Sequence, residues 1–149
     1  MRKASALAII ATMAVLGASC DEKLSDVTGP TPNLAVTFSS IQQEIFNSTD
    51  SAGRSMCIAC HTNVGRTPAS NLNLTSGNAH AQIVNRASTG KPGAILVIPG
   101  DPDNSYLVQK IEGAPGIVGQ RMPRTGGPYL TPGQIMVIRR WIQEGAQNN

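Results

Sequence analysis

The chain has 149 residues and a formal net charge of +3 at pH 7, a length that suits one domain and is too short for two of ordinary size. Its aromatic residues are few for a core built from bulky side chains, which leaves room for a large apolar cofactor. The basic residues are scattered and are not interleaved with aromatic ones, which argues against binding to nucleic acid.

The N-terminus has the pattern of an export signal. Two basic residues precede an apolar stretch over residues 7–16, which is too short to span a bilayer as a permanent helix. The sequence Leu-Gly-Ala-Ser-Cys that ends at Cys20 resembles the bacterial lipoprotein box, in which the Cys is lipidated and becomes the new N-terminus. The resemblance implies a signal peptide over residues 1–19 and a lipid on Cys20. The alternative is ordinary cleavage near Ser19, with Cys20 as an incidental thiol.

A flexible tether is predicted after the signal. Residues 20–36 are polar and rich in turn formers, with little to bury, and this composition is typical of a linker. The predicted domain covers residues 37–149. It opens with apolar residues at helical spacing from Phe38 to Phe46, where a Ser can cap the helix.

A second helix is predicted to begin at Asp101, which can act as the N-cap, with Pro102 in the first helical position. It is predicted to end at Gly113. The apolar, β-branched run over residues 94–98 is closed by Pro-Gly, and it can form a short extended piece.

Residues 113–128 contain too many glycines and prolines for regular structure, so they are predicted to form a long loop. A last helix follows, with Thr131 and Gln134 as a capping box and Pro132 at its first position. Gly145 is a plausible terminator. The predicted apolar stripe of this helix consists of Ile135, Ile138, Trp141 and Ile142. No strand pattern is comparably strong, and the predicted fold class is all-α.

The segment Cys-Ile-Ala-Cys-His is the haem attachment signature of c-type cytochromes. Cys57 and Cys60 have the spacing that reaches the two vinyl groups of one porphyrin edge, and His61 can then point its imidazole at the iron as the proximal ligand. A redox dithiol and half of a zinc site are the alternatives. The first would require a βαβ context and the second another pair of Cys or His, and the sequence offers neither.

The sixth iron ligand must come from elsewhere in the chain. Met122 is the leading candidate because it lies in the Gly/Pro-rich loop, just ahead of the last helix, and is followed by Pro123. His80 is the rival, and it would give iron with two His ligands. Met56 adjoins the attachment site and Met136 lies within the last helix, so both are worse placed.

The stretch from Phe38 to Asn149, about three quarters of the chain, resembles the class I cytochrome c family. It is more closely similar to bacterial membrane-associated mono-haem domains. That resemblance implies a cytochrome c-like fold, in which a few helices and long Gly/Pro-rich loops wrap around one covalently bound haem c, and a carbonyl at Pro68 that accepts from His61. The connection over residues 63–98 departs from the compact family members. The matching motifs are Met122-Pro123, Gly126-Gly127, Leu130-Thr131, the segment 138–146 and the segment 99–107.

An iron held by His and Met has no open coordination site, and the soft thioether favours the ferrous state. The predicted function is therefore single-electron transfer, without enzymatic turnover, between redox proteins of the cell envelope. The predicted location is outside the cytoplasm, on a membrane through the N-terminal lipid and not through a spanning helix. A peroxidase or gas-sensing domain with a labile sixth ligand, and an accessory haem subunit of a larger oxidoreductase, are the alternatives.

Overall fold

The computed structural model of the chain describes residues 34–149. The predicted signal peptide over residues 1–19, the predicted lipidation of Cys20 and most of the predicted tether lie outside the described residues. Within residues 34–149 the regular structure is helical and no β-strand is formed. The all-α class is thus confirmed for this part of the chain.

The helical elements are short and are joined by long connections. Between α2 and α3 the chain runs through turns and bends, with isolated bridges that pair Val84 with Val97 and Ala87 with Ile95. No helix among the described residues is long and apolar enough to cross a membrane. The elements in chain order are α1 (Phe38–Ile41), a π-helical turn (Gln42–Phe46), a 3₁₀ turn (Cys57–Ala59), a second 3₁₀ turn (Ala69–Asn71), α2 (Ala79–Ile83), α3 (Tyr106–Glu112) and α4 (Pro132–Gln143).

The first helical segment is capped by Thr37. The sequence had suggested that a serine would cap it. The side-chain oxygen of Thr37 accepts a hydrogen bond from the N–H of Ser40 at 3.2 Å. A capping residue has extended backbone, and Thr37 has φ −131° and ψ 152°, whereas Ser39 and Ser40 already lie inside the helix. The cap therefore lies one residue before the predicted apolar start.

Helix α1 packs against α4 in the core. The ring centroids of Phe38 and Trp141 are 5.3 Å apart, and Phe46 meets Phe38 edge-on at 6.3 Å. The indole N–H of Trp141 donates to the carbonyl of Gln147 at 2.8 Å, so this buried ring has its polar atom satisfied. The core around these rings includes Leu34, Ile41, Ile45, Ile83, Val97, Val108, Val137, Ile138 and Ile142.

The predicted start of α4 is confirmed. The hydroxyl of Thr131 accepts from the N–H of Gln134 at 3.2 Å, and the side chain of Gln134 accepts from the N–H of Thr131 at 2.9 Å. Pro132 occupies the first helical position. The buried face also includes Val137, which the predicted apolar stripe had left out, while Ile135 is only partly buried.

The end of α4 is also confirmed at Gly145, which has φ +99°. Its N–H donates to the carbonyl of Ile142 at 3.0 Å, and the N–H of Ala146 donates to the carbonyl of Trp141 at 2.9 Å. These two bonds form a Schellman motif, which needs a residue in the left-handed region and so favours glycine.

Helix α3 begins at Tyr106, so the predicted start at Asp101 and Pro102 is wrong. The carboxylate of Asp101 accepts from the backbone N–H of Asn104 at 3.2 Å and from its side-chain amide at 2.7 Å. These bonds close an isolated turn. Ser105 then returns to extended backbone, with φ −73° and ψ 115°, which separates the turn from the helix.

The first turn of α3 is satisfied by backbone from another part of the chain. The N–H groups of Tyr106 and Leu107 donate to the carbonyls of Ile95 and Leu96, each at 2.9 Å. The extended run over residues 94–98 thus supplies the acceptors that a side-chain cap would otherwise provide. The predicted end at Gly113 is confirmed, with φ +74°.

The described chain already packs against the core before residue 37, where the sequence placed the start of the domain. Leu34 is only 7% exposed and belongs to the core, and Val36 packs against that core. The N–H of Ala35 donates to the hydroxyl of Ser40 at 2.9 Å. The predicted tether over residues 20–36 is therefore too long at its C-terminal end, because two apolar residues follow directly on the polar stretch.

Candidate functional site

A 3₁₀ turn over Cys57–Ala59 brings the two cysteines and the histidine together. Met56 precedes it in extended backbone, with φ −62° and ψ 147°. The carbonyl of Cys57 accepts from the N–H of Cys60 at 3.3 Å and from the N–H of His61 at 3.0 Å. The two cysteines do not form a disulfide with each other. The three predicted residues thus lie on one compact turn.

The two thiols have different surroundings. Cys60 is exposed, whereas Cys57 is half-buried and packs against the core, with its sulfur 3.8 Å from the carbonyl oxygen of Ile45. Burial raises the pKa of the Cys57 thiol to about 11, and the neighbouring Arg54 guanidinium offsets only part of that rise. Cys57 is therefore a protonated thiol at neutral pH, held on the inner side of the turn.

The imidazole of His61 is already oriented by the protein. Its Nδ1 lies 3.0 Å from the carbonyl oxygen of Ala69. Because a carbonyl only accepts, Nδ1 carries the proton and the lone pair of the neutral ring is on Nε2. Burial lowers the pKa of His61 and the Ala69 carbonyl partly opposes this, so the net effect favours the neutral ring. Such a ring is ready to bind a metal through Nε2.

The carbonyl predicted to accept a hydrogen bond from His61 was that of Pro68. In the structure it is the carbonyl of the next residue, Ala69. The carbonyl of Pro68 accepts from the N–H of Asn71 at 2.9 Å, as part of the second 3₁₀ turn, and it is the next carbonyl that bonds His61. The family resemblance pointed to the right loop but to the wrong peptide unit.

The loop that carries Ala69 is fastened to the turn by backbone hydrogen bonds. The N–H of Ala69 donates to the carbonyl of Cys60 at 3.0 Å, and the N–H of Leu74 donates to the carbonyl of His61 at 2.8 Å. The orientation of His61 therefore depends on main-chain contacts at both ends of this loop.

Met122 lies in the predicted long loop and is half-buried. Its N–H donates to the carbonyl of Lys110 in α3 at 2.9 Å. The ammonium group of Lys110 donates to the carbonyl of Val118 at 2.9 Å and also to that of Gln120, and the N–H of Val118 donates to the hydroxyl of Tyr106 at 3.0 Å. Helix α3 thus holds the segment that leads to Met122.

Arg121 adds a second attachment of the loop to α3. Its Nε donates to the carbonyl of Ile111 at 2.7 Å, and its guanidinium lies 4.1 Å from the ring centroid of Tyr129. A Cβ on Gly113 would lie 2.9 Å from the Cδ of Arg121. The left-handed end of α3 therefore also leaves space for this side chain.

His80, the rival ligand, is engaged elsewhere. Its Nε2 lies 2.8 Å from the carbonyl oxygen of Ala146, just beyond α4. Its ring meets Phe38 edge-on at 5.0 Å and Trp141 at 6.1 Å. This is the environment of a packed, hydrogen-bonded structural histidine.

The residues of the turn fit a covalently attached haem. Two cysteine sulfurs at the attachment spacing stand beside an imidazole whose Nε2 has a lone pair, which is the donor set that haem c requires. A zinc site built from protein ligands would need several of them close together. Residues 34–149 contain no group of three or more His, Cys, Asp or Glu side chains that could hold a metal ion.

Sequence reasoning missed three contributors to this region: the Ala69 carbonyl, the side chain of Lys110 and the side chain of Arg54. The first is a backbone group and leaves no trace in the residue type. Lys110 has the pattern of a solvated residue on a helix surface, and Arg54 stands in a polar stretch where a charge suggests exposure. The proximity of Arg54 to the attachment motif was the only available signal.

A comparison with protein families places this site in a known class. Residues 57–123 match the family model described as Planctomycete cytochrome C. The match begins at Cys57 and ends one residue after Met122. No curated protein and no solved structure gave a match.

This match supports a c-type cytochrome domain in this part of the chain. A domain of this class implies covalently bound haem c with its iron, supports haem-based electron transfer, and is generally an electron carrier and not an enzyme. Domains of the matched family are typically exported.

Proposed function

We propose that this chain is a single-electron carrier with one covalently bound haem. The observation that carries the proposal is the turn that groups Cys57, Cys60 and His61, with the imidazole already oriented by Ala69. The two cysteines would hold the haem through thioether bonds, and Nε2 of His61 would bind the iron. Bound haem would supply an iron that alternates between the ferric and ferrous states.

In this proposal Met122 is the second axial ligand. A thioether in that position favours ferrous iron and fills the coordination sphere, which suits outer-sphere electron transfer. Support comes from the bond between the N–H of Met122 and Lys110, which places the residue at a fixed point beside α3. Further support comes from His80, because the bond from its Nε2 to Ala146 occupies the nitrogen that could otherwise bind iron.

The helices and loops would wrap around the porphyrin. Several apolar side chains pack against the core but are only partly buried, and burial against a porphyrin would remove their remaining surface from water. They include Ile58 in the attachment turn, Leu72 just after the second 3₁₀ turn, Leu96 in the run over residues 94–98 and Leu107 in α3.

The proposed location is the outer side of a cell-envelope membrane. It rests on the sequence alone, through the signal pattern of residues 1–19 and the lipoprotein-like box that ends at Cys20. The partners would be other redox proteins of the envelope.

Spectroscopy of the purified full-length protein tests the function. We expect haem that stays on the chain after denaturation, reversible one-electron reduction, and slow or absent binding of carbon monoxide to the reduced form. Rapid binding of carbon monoxide would favour the peroxidase or gas-sensing alternative, and an oxidoreductase that co-purifies would favour the accessory subunit. Protein that contains zinc and shows no haem absorption would overturn the proposal.

A further inference from the structure

Arg54 is a fully buried charge that lies shortly before the attachment turn in sequence. Its side chain is 0% exposed, and that of Asp50, the carboxylate beside it, is 5% exposed. A guanidinium is not deprotonated in proteins. A positive charge is therefore fixed inside the core, where solvent ions screen it much less than they screen a surface charge.

The guanidinium is oriented by contacts on two sides. Nε lies 3.3 Å from Oδ2 of Asp50, and the other carboxylate oxygen accepts from the backbone N–H groups of Ala52 and Arg54, each at 3.0 Å. The terminal nitrogen Nη2 donates to the carbonyls of Ile45 and Ser48, at 3.2 and 3.1 Å. The carboxylate thus lies on the Nε side of the group, and Nη2 faces the end of the π-helical turn.

Cys57 lies on the Nη2 side of this arrangement. The carbonyl oxygen of Ile45, which accepts from Nη2, is also 3.8 Å from the sulfur of Cys57, so the cation and the sulfur share one contact atom. The guanidinium lowers the pKa of the Cys57 thiol against the larger effect of burial. Arg54 therefore exerts a positive field at the sulfur.

Asp50 compensates the charge of Arg54 only in part. Its contact with Nε is an ion pair, but Nε makes no hydrogen bond to any atom of residues 34–149. Buried ion pairs are costly to desolvate, and apolar replacements of similar volume are often neutral or stabilising. The field of this pair explains its presence beside Cys57 better than a contribution to stability does.

We propose that Arg54 raises the reduction potential of the haem and that the carboxylate of Asp50 limits the rise. This inference rests on the proposed function, because a thioether bond to Cys57 would put the porphyrin edge two bonds from the sulfur. Ferric haem carries one positive charge more than ferrous haem, so a buried cation nearby disfavours the ferric state. A unit charge that acts over about 10 Å at an effective dielectric constant of about 20 changes such an equilibrium about tenfold.

Redox titration of the haem-loaded, full-length protein tests the proposal through the direction of two shifts. Arg54→Met removes the cation and leaves Asp50, so it should favour the ferric state about tenfold, which lowers the potential of a one-electron couple by about 59 mV. Asp50→Asn keeps the shape of the side chain but removes its charge, so it should raise the potential. Arg54→Lys keeps the positive charge and should change the equilibrium less than Arg54→Met does.

A purely structural role would move both potentials in the same direction. Either substitution would then loosen the core and admit water, which stabilises the more highly charged ferric haem. The proposal requires a fall in Arg54→Met and a rise in Asp50→Asn, and any other pair of results overturns it. If Arg54→Met yields no haem-loaded protein, Asp50→Asn decides alone, since a lower or unchanged potential in this variant contradicts the proposal.

The exposed ion pair of Arg140 and Glu144 provides the matched control. Its side chains are 65% and 52% exposed, so solvent ions screen its charges. Arg140→Met should shift the equilibrium by less than about twofold, and a shift equal to that of Arg54→Met would overturn the local role of Arg54. Wild-type protein without covalent haem would instead remove the proposed function itself, which distinguishes the two failures.

Discussion

The N–H of Met122 donates to the carbonyl of Lys110 at 2.9 Å, and the same lysine holds the preceding part of the loop through its side chain. One residue of α3 therefore contacts the loop both through its backbone and through its ammonium group. Since the loop has few apolar contacts of its own, these polar contacts fix the position of the Met122 backbone.

Lys110→Met should weaken the placement of Met122 without removing the ligand. Loss of the ammonium donor at this partly exposed site should cost about 1 kcal/mol, so that the loop opens roughly fivefold more often. The expected result is faster binding of carbon monoxide to reduced protein. Lys91→Met is the matched control, because Lys91 donates to Gly116 at the far part of the loop. Equal effects of both substitutions would contradict this prediction.

Met122→Ala should remove the proposed sixth ligand. We expect the weak long-wavelength band of methionine-ligated ferric haem to disappear, the reduced iron to bind carbon monoxide, and the reduction potential to fall. His80→Ala should change none of these, since His80 packs against Phe38 and Trp141. A wild type without the band, together with a five-coordinate iron in His80→Ala, would instead identify His80 as the ligand.

Thr131→Ala should destabilise the domain through the start of α4. It removes the hydroxyl that accepts from the N–H of Gln134, and loss of such a cap costs about 1 kcal/mol. Denaturant unfolding of the haem-loaded protein measures the change in the free energy of unfolding. Thr67→Ala, at an exposed position of the loop after His61, should change it by less than about 0.5 kcal/mol.

Acid should destabilise the turn that precedes α3. Hydrogen bonds from the side chain and backbone of Asn104 lower the pKa of Asp101 in the folded protein. The resulting stabilisation is present above the ordinary aspartate pKa of the unfolded chain, and it is lost as the pH falls through the lowered pKa. The free energy of unfolding, measured as a function of pH, should lack this pH-dependent stabilisation in Asp101→Asn and part of it in Asn104→Ala. An unchanged acid dependence in both would show that the turn contributes nothing.

Cys20→Ser should release the protein from the membrane. The wild type should fractionate with membranes, and its intact mass should correspond to a chain that begins at a lipidated Cys20. A wild-type product that begins elsewhere, with Cys20 as a free thiol, would sink the lipidation hypothesis while leaving the haem site untouched.

The parts of the fold that could be predicted from sequence are those with local causes. The start of α4 depends on Thr131, Pro132 and Gln134, which lie within four positions of one another, and its end depends on Gly145. The attachment motif was equally visible, because the chemistry requires Cys57, Cys60 and His61 at set intervals.

What could not be predicted depends on distant partners. The first N–H groups of α3 bond to Ile95 and Leu96, so the local cap signal at Asp101 formed a turn and did not start the helix. The carbonyl of Ala69, and the carbonyls to which the side chain of Lys110 donates, are backbone groups eight to ten residues away from their partners, and no residue pattern encodes such pairings.

The burial of Leu34 limits the reach of a lipid-anchored domain. If Cys20 is held at the membrane, only the residues between it and Leu34 can bridge the gap, and even a fully extended chain of that length covers at most about 45 Å. The haem would then stay within a layer of limited depth next to the bilayer. Electron donors and acceptors would have to present their own redox centres within that layer.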